Sequence, residues 1–157
     1  AETDSEALKI KFSNKKIYKK NLPNKASCKL LYDVAEKIRY EVLGTKILNG
    51  ISKNLKDNYS NKILLQNQDE IRSKDDVKIV EAFELYMLKN FLGIKLNLLS
   101  EKKLSYWKED FQNAFSKHFE FLHKNLENQE VYNSKFSEIL EKMDIFDSEK
   151  NVVKKRR

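Results

Sequence analysis

Apolar and polar residues alternate at the start of the chain. Leu8, Ile10 and Phe12 are separated by single lysines, and this period of two is typical of a half-buried β-strand. The two residues after Phe12 are turn formers. The pattern predicts a short N-terminal β-hairpin with strands at residues 7–12 and 16–21. Because two strands alone are only marginally stable, the hairpin is expected to pack on the rest of the domain.

After Pro23 the apolar residues recur every three or four positions, which is typical of amphipathic helices. The first helical region covers residues 27–59, as one long helix or as two in series. Gly44 and Gly50 lie inside it, and each glycine costs about 1 kcal/mol relative to alanine at an exposed helical position. We therefore expect either a break near Gly44 or a close helix crossing there.

Three more helices follow. Ser73 and Asp76 form a capping-box pattern that starts the next helix, which ends at Gly93. Ser100 is the predicted cap of a third helix, and a fourth is predicted at residues 129–143. The third helix carries a largely aromatic stripe, predicted to be core rather than a ligand pocket. The stripe consists of Leu104, Trp107, Phe111, Phe115, Phe119 and Leu122.

Together these elements predict a mainly α protein, an antiparallel helical bundle with a short N-terminal β-hairpin. A chain of 157 residues has the size of one domain. We expect a flexible N-terminus at residues 1–7, a single helical domain with its hairpin at 8–146, and a basic flexible tail at 147–157. No apolar run approaches the roughly 20 residues of a membrane span.

The net charge of +7 is concentrated at the two ends of the chain. Residues 8–25 contain seven lysines and no acid, whereas residues 26–146 contain equal numbers of basic and acidic residues. An AT-rich coding bias could explain the excess of lysine without any function, since 27 of the 31 basic residues are lysine. The functional hypothesis is that outward-facing lysines of the hairpin bind an acidic protein partner. These candidate residues are Lys9, Lys11, Lys15, Lys16, Lys19 and Lys20.

Patterns typical of catalysis are missing from the sequence. The three glycines are far apart, so the chain has no phosphate-binding loop and is not expected to hydrolyse ATP. His118 and His123 are five residues apart, which places them on different faces of a helix. Cys28 has no sequence context that brings a histidine near it, and a buried helix cysteine is expected. We predict no catalytic, cofactor-binding or metal-binding residues and no cofactor.

The first residues of the chain and its single cysteine indicate what kind of protein the sequence comes from. Residue 1 is alanine, and the acidic residues after it lack the features of a secretory signal. A lone cysteine excludes an internal disulfide and fits a reducing compartment. The sequence is therefore expected to be a fragment of a cytoplasmic protein.

The segment from Glu36 to Gly44 is rich in charge for a helix with an apolar stripe. Glu36 and Arg39, or Arg39 and an acid of a neighbouring helix, are expected to form an oriented ion pair near the core. Gly44 would allow another backbone to approach closely. As surface charges, the same residues would contribute only about 0–1 kcal/mol.

The segment also has the pattern Glu-x-x-Arg-x-Glu-x-x-Gly, followed by a glycine and an Asn-Leu pair. The positions are Glu36, Arg39, Glu41, Gly44, Gly50, Asn54 and Leu55, with Tyr59 after them. In this pattern the chain resembles the N-terminal region of the CobT family, the T subunits of aerobic cobaltochelatase. Short motifs extend the similarity over most of residues 8–147.

The resemblance implies a part in ATP-dependent insertion of cobalt into a corrin ring during cobalamin biosynthesis. An AAA+ ATPase subunit and a large corrin-binding subunit are the implied partners. T subunits typically add an acidic linker and a C-terminal von Willebrand factor A domain with an Asp-x-Ser-x-Ser metal site, and this sequence lacks that motif. The resemblance therefore implies a non-catalytic interaction domain within a ligase that forms nitrogen–metal bonds, with the motif residues in structural or interaction roles.

A basic helical module that binds nucleic acid, or acts as an adaptor, is the alternative from a different functional class. Phosphate binding favours basic residues grouped on one face, with arginine preferred for bidentate contacts. The neutral middle of the chain and the small number of arginines, four, argue against nucleic acid. An independent enzyme is a third class, and no residue pattern supports it.

Overall fold

A computed structural model describes residues 2–66 and 71–143 of the chain. Most of these residues are helical, and no β-strand occurs among them, so the mainly α prediction is confirmed. The helices of the described ranges are α1 (Glu2–Phe12), α2 (Lys15–Lys20), α3 (Ala26–Ile47), α4 (Asn49–Leu64), α5 (Ile79–Met87), α6 (Leu98–Ser105), α7 (Lys108–Phe115), α8 (Phe119–Lys124) and α9 (Gln129–Lys142). A π-helical turn, Leu88–Leu92, continues α5, and short 3-10 turns at Lys74–Asp76 and Ser116–His118 precede α5 and α8.

The predicted N-terminal β-hairpin is wrong, because its two strands coincide with helices α1 and α2. Leu8 and Phe12 are four residues apart and therefore share one face of α1, where Leu8 is only 1% exposed. Ile10 falls on the opposite face and is 82% exposed. The alternation that resembled a strand thus comes from one buried helical face and one exposed apolar residue.

The residues expected to form the hairpin turn instead start α2. The Asn14 side-chain oxygen accepts hydrogen bonds from the backbone N–H groups of Lys16 at 2.8 Å and Ile17 at 3.1 Å, as an N-cap does. Residues 2–7, expected to be a flexible N-terminus, are the first part of α1. Acids at the start of α1 and lysines in its last turn are favourably placed relative to the helix dipole. The predicted tail at 147–157 lies outside the described residues.

Helix α3 is the centre of the fold, because α1, α4, α5 and α9 all pack against it. Helix α9 runs antiparallel to α3. The Cys28 thiol near the start of α3 donates to the Leu140 carbonyl near the end of α9 at 3.5 Å, whereas Ala35 accepts from the Tyr132 hydroxyl at 2.9 Å. The buried stripe of α3 repeats every three or four residues, as predicted, and includes Cys28, Leu31, Tyr32, Ala35, Ile38 and Val42.

The glycines of the first helical region have different surroundings. The helix breaks at Leu48, so the region is two helices in series. At Gly44 the side chain of Leu8 crosses so closely that an added Cβ would lie 2.5 Å from a Leu8 methyl group. At Gly50 an added Cβ would have open space around it. The expected close approach therefore occurs at Gly44. The group that approaches is the side chain of Leu8 rather than the backbone of another helix.

The second half of the chain follows the predicted order with different boundaries. The capping box of Ser73 and Asp76 is present, but it starts a 3-10 turn. Gly93 ends the π-helical turn with a left-handed φ of 68°. Asn97, rather than the predicted Ser100, caps α6, since its side-chain oxygen accepts from the Ser100 N–H at 2.8 Å.

The aromatic stripe is divided among α6, α7 and α8 instead of lying on one helix. Phe111 and Phe115 are buried, and their ring centroids lie 5.5 and 5.4 Å from that of Phe83 on α5. Phe115 also lies 5.6 Å from Phe136 on α9. The predicted core position is confirmed for Phe111 and Phe115, whereas Trp107 and Phe119 of the same stripe are only partly buried. Within the described part of the chain, no helix combines the length and apolar character that crossing a bilayer requires.

Candidate protein-interaction site

Residues 9–20, here called the lysine segment, cover the end of α1, the α1–α2 junction and all of α2. The six candidate lysines lie in this segment, and every one of their side chains is exposed. They are Lys9, Lys11, Lys15, Lys16, Lys19 and Lys20. The outward orientation expected on a hairpin is therefore present on two successive helices.

Few acids of the described residues contact these lysines. Of the six, only Lys20 forms an ion pair with another described residue, Glu130 of α9, at 3.0 Å. Hydrogen bonds from Lys20 and Asn21 lower the pKa of Glu130, although an exposed pair of this kind contributes little to stability. Lys11 also lies 5.5 Å from the centre of the Phe12 ring. Most of the ammonium groups are therefore free to contact an acidic surface.

A buried polar network lies directly beneath the α1–α2 junction. At its centre, Arg39 donates to the Glu36 carboxylate from Nε at 2.7 Å and from Nη2 at 3.0 Å, and both side chains are buried. This is the ion pair expected near the core. Arg39 Nη2 also donates to the carbonyl of Phe12, the last residue of α1, and Nη1 donates to the Leu126 carbonyl, both at 2.7 Å. Arg39 thus joins α3 to the end of α1 and to the loop before α9.

Four more polar residues, Ser13, Asn14, Gln129 and Asn133, complete the network. The Ser13 hydroxyl and the Asn133 amide both donate to the Glu36 carboxylate, the latter at 2.9 Å. Gln129 contacts the backbone of Asn14 twice: its oxygen accepts from the N–H at 2.7 Å, and its amide donates to the carbonyl at 3.1 Å. A fully paired buried network favours one geometry, so the junction is held in a single orientation on α3 and α9.

Glu41 forms a second buried polar contact on α3. It is 1% exposed and accepts hydrogen bonds from the Tyr59 hydroxyl of α4 and, at 2.9 Å, from the Ser5 hydroxyl of α1. Burial raises the pKa of Glu41, and the two hydroxyl hydrogen bonds partly oppose that rise. Glu41, the second acid of the motif, therefore ties α1 and α4 to α3.

The motif found in the sequence divides into two structural parts. Glu36, Arg39, Glu41 and Gly44 are buried, and each contacts the segment formed by α1 and the α1–α2 junction. Gly50 and Asn54 lie exposed on α4 and do not join the network. Ser13 and Asn14 were predicted only as turn residues, and the sequence offered no signal for Asn133, because isolated polar residues are common in helices. Gln129 was predicted only as the first residue of the fourth helix, and nothing in the sequence placed it beneath α2.

The residues considered for other chemistry lie apart from this site. Cys28 is fully buried among apolar residues. The His123 ring stacks on Phe91 with centroids 4.3 Å apart, and burial lowers the pKa of both His123 and His118. Over residues 2–66 and 71–143, His, Cys, Asp and Glu side chains form no group of three that could hold a metal ion.

Comparison with known proteins identifies the family although it finds no structural precedent. No solved structure matches the chain. A family model described as cobalamin biosynthesis protein CobT matches residues 2–156, which is nearly the whole chain. The matched range contains the lysine segment, the buried network beneath it and the Glu36 to Gly44 motif. The chain therefore belongs to the CobT family of cobalamin biosynthesis proteins.

Proposed function

We propose that this chain is a non-catalytic interaction domain of a cobaltochelatase T subunit. In this role it docks on the AAA+ ATPase subunit through the lysine segment and so supports ATP-dependent insertion of cobalt into the corrin ring. The large corrin-binding subunit is the other proposed member of the assembly. The observation that carries the proposal is the buried Arg39–Glu36 network, which holds an exposed, lysine-rich pair of helices in one orientation.

A fixed orientation matters for binding because it reduces the ordering cost of association. Flexible lysine tails bind acidic surfaces, but they lose backbone and side-chain freedom when they do so. Here Arg39, Ser13 and Gln129 already fix the backbone of the α1–α2 junction. The lysines are therefore presented by short helices whose position is set before any partner arrives.

The charge of the segment favours an acidic protein surface. Six exposed ammonium groups within residues 9–20 create a local positive field that speeds encounter with acidic surfaces and selects them over basic ones. All six are lysines, which act as point charges without the bidentate geometry of arginine. This composition supports general charge complementarity with a protein more than recognition of individual phosphates.

The buried polar residues support a non-catalytic role. Glu36, Arg39 and Glu41 are the most deeply buried charged side chains of the described residues, and their partners are groups of the protein itself. A catalytic acid or base needs access to substrate. These three residues instead connect α3 with α1, α4 and the loop before α9.

Co-purification tests the proposal. The tagged chain is expressed with the AAA+ subunit and the large subunit of the same organism, and the complex is isolated by affinity and size-exclusion chromatography. The wild-type chain is expected to retain the AAA+ subunit, whereas a variant with Lys9, Lys11, Lys15 and Lys16 changed to Glu should lose it. A matched control changes four exposed lysines of other elements to Glu, namely Lys78, Lys95, Lys102 and Lys117.

Two outcomes would contradict the proposal. One is equal retention of the AAA+ subunit by both variants, which would place the contact elsewhere. The other is tight binding of the wild-type chain to random duplex DNA that weakens steeply with salt, which would favour the nucleic-acid alternative.

A further inference from the structure

A concave site of about 480 Å³ lies among elements that do not include α1 or α2. Its walls come from the end of α5 and the π-helical turn, from α6, from α7 with the turn after it, and from the first residue of α8. This volume lies in the range typical of sites for small ligands. The lining contains two lysines, Lys89 and Lys108, and no acid.

The floor of the site is apolar and aromatic. Tyr86, Leu104 and Phe119 contribute to it, and the rings of Tyr86 and Phe119 lie 5.6 Å apart. The Tyr86 hydroxyl is buried and has no hydrogen-bond partner in the part of the chain that the structure describes. A buried hydroxyl without a partner is uncommon in native proteins, so it calls for a physical explanation.

Several polar groups on the walls have no partner among the described residues. Lys108 forms no ion pair with a described residue, whereas Lys89 is paired with Glu101 at 2.9 Å. The side-chain amides of Gln112 and Asn113 are exposed, and neither bonds to another described side chain or backbone group. Lys89 belongs to the π-helical turn, and such turns occur frequently at functional sites.

We propose that this site binds a small organic anion with an apolar or aromatic body. The carboxylate or phosphate group would lie between Lys108 and the Gln112 and Asn113 amides, and the body would lie against the partly exposed ring of Phe119, above the buried Tyr86. Two other concave sites of the molecule each contain acid, Glu138 in one and Glu41 in the other. The lining of this site contains no acid, and the ammonium group of Lys108 therefore favours anions here.

Nuclear magnetic resonance titration of the whole chain tests the proposal with three probes that share a benzene ring. Benzoate carries a carboxylate, phenyl phosphate carries a phosphate, and benzylamine carries a positive charge. Benzoate, phenyl phosphate or both should bind with a dissociation constant of about 1 mM, with amide shifts confined to residues 86–92 and 104–119. The tighter of the two identifies the preferred anionic group. Binding of benzylamine as tight as that of both anions, or anion-induced shifts that lie mainly in the lysine segment, would overturn the proposal.

Charge reversal at Lys108, on the wall of the site, tests the proposal with a variant that has a matched control. Lys108→Glu should weaken anion binding by about tenfold or more, because it places a negative charge at the position proposed for the anionic group. Lys56→Glu changes an exposed lysine of α4 in the same way and should leave the dissociation constant unchanged. Both lysines are exposed, so both variants should fold. Equal weakening by the two variants would show that only the overall charge of the protein matters and would overturn the assigned site.

Discussion

Arg39 shows how much a single side chain contributes to the position of the lysine segment. Its guanidinium contacts Glu36 and the carbonyls of Phe12 and Leu126, all in buried surroundings. Arg39→Ala leaves the Glu36 carboxylate without its cation, and we expect a loss of about 3–5 kcal/mol in the free energy of unfolding. Urea denaturation measures this loss. Lys102→Ala, at an exposed position on α6, should change stability by less than about 0.5 kcal/mol.

The conservative variant separates charge from geometry at the same position. Arg39→Lys keeps the positive charge but cannot reach Glu36, Phe12 and Leu126 at once, since lysine lacks the planar fork of donors. Its stability should fall between those of the wild type and Arg39→Ala. Identical denaturation midpoints for Arg39→Ala and the wild type would show that the pair does not hold the fold together.

Gly44 and Gly50 form a natural pair of test positions on neighbouring helices. Gly44→Ala forces a Cβ against the buried Leu8 side chain, and we expect a loss of about 1–3 kcal/mol. Gly50→Ala meets open space and gains helix propensity, so stability should stay the same or rise by up to about 1 kcal/mol. Thermal or urea unfolding of the two variants measures the difference. A stabilising Gly44→Ala would contradict the close crossing of α1.

The buried carboxyl of Glu41 should make stability depend on pH. Because burial raises its pKa in the folded protein, folding favours the protonated acid at pH values above its ordinary pKa of 4.5. The stabilisation is present at low pH and is lost as the pH rises through the raised pKa. Lys37 and Glu84 act on this pKa in opposite directions, the lysine lowering it and the glutamate raising it.

Glu41→Gln isolates this effect because glutamine does not titrate. The free energy of unfolding of the wild type, minus that of Glu41→Gln, should fall as the pH rises above about 4.5. Urea denaturation of both proteins between about pH 4 and 8 measures this difference. Tyr59 stays neutral over that range because burial raises its own pKa. A difference that is constant or rises with pH would contradict the raised pKa of Glu41.

At the scale of elements, the contact between Gln129 and Asn14 links α9 to the start of α2. Gln129→Ala removes two hydrogen bonds to the Asn14 backbone, each of which contributes about 1 kcal/mol. Local opening of the α1–α2 junction should become easier, and amide hydrogen exchange at residues 13–21 should speed up by about tenfold. Exchange in α5 should change much less. Gln112→Ala, at an exposed glutamine of α7, is the control, and equal exchange in the two variants would contradict the link.

The elements also show where sequence periodicity succeeds and where it fails. Long amphipathic stretches such as α3 repeat their apolar residues often enough to identify the period, and the start of α3 and both ends of α9 were predicted to within one residue. In α1, three apolar residues cannot distinguish a period of two from a spacing of four, because Leu8 and Phe12 satisfy both. The long aromatic helix was predicted as one element, since its stripe continues in register across the breaks between α6, α7 and α8.

The candidate site was predictable only in its charges. The spacing of Glu36 and Arg39 indicated an ion pair, and the run of lysines indicated an exposed basic segment. The partners from distant parts of the chain, such as Gln129 and Asn133, are single polar residues whose role depends on how α9 packs against α3. Tertiary packing decides such contacts, and local sequence does not carry that information.

At the scale of the whole molecule, the fold separates a neutral, aromatic core from a basic surface. Residues 26–146 have no net charge, and the seven lysines of residues 8–25 supply much of the positive field. Arg39 and its polar partners hold this basic surface on the core together with apolar contacts of Leu8, Phe12 and Tyr18. Stability of the core and position of the surface are therefore coupled, so Arg39→Ala should weaken partner binding as well as folding.

Stopped-flow association with the AAA+ subunit tests the central claim most directly. The rate constant for the wild-type chain should fall as the salt concentration rises, because screening shortens to about 8 Å near physiological ionic strength. The variant with Lys9, Lys11, Lys15 and Lys16 changed to Glu should associate at least about tenfold more slowly at low salt, while its circular dichroism and unfolding midpoint stay close to those of the wild type. The control with Lys78, Lys95, Lys102 and Lys117 changed to Glu should associate at a rate much closer to that of the wild type. Equal rates for the wild type and the lysine-segment variant at low salt would contradict the assignment of this segment as the docking surface.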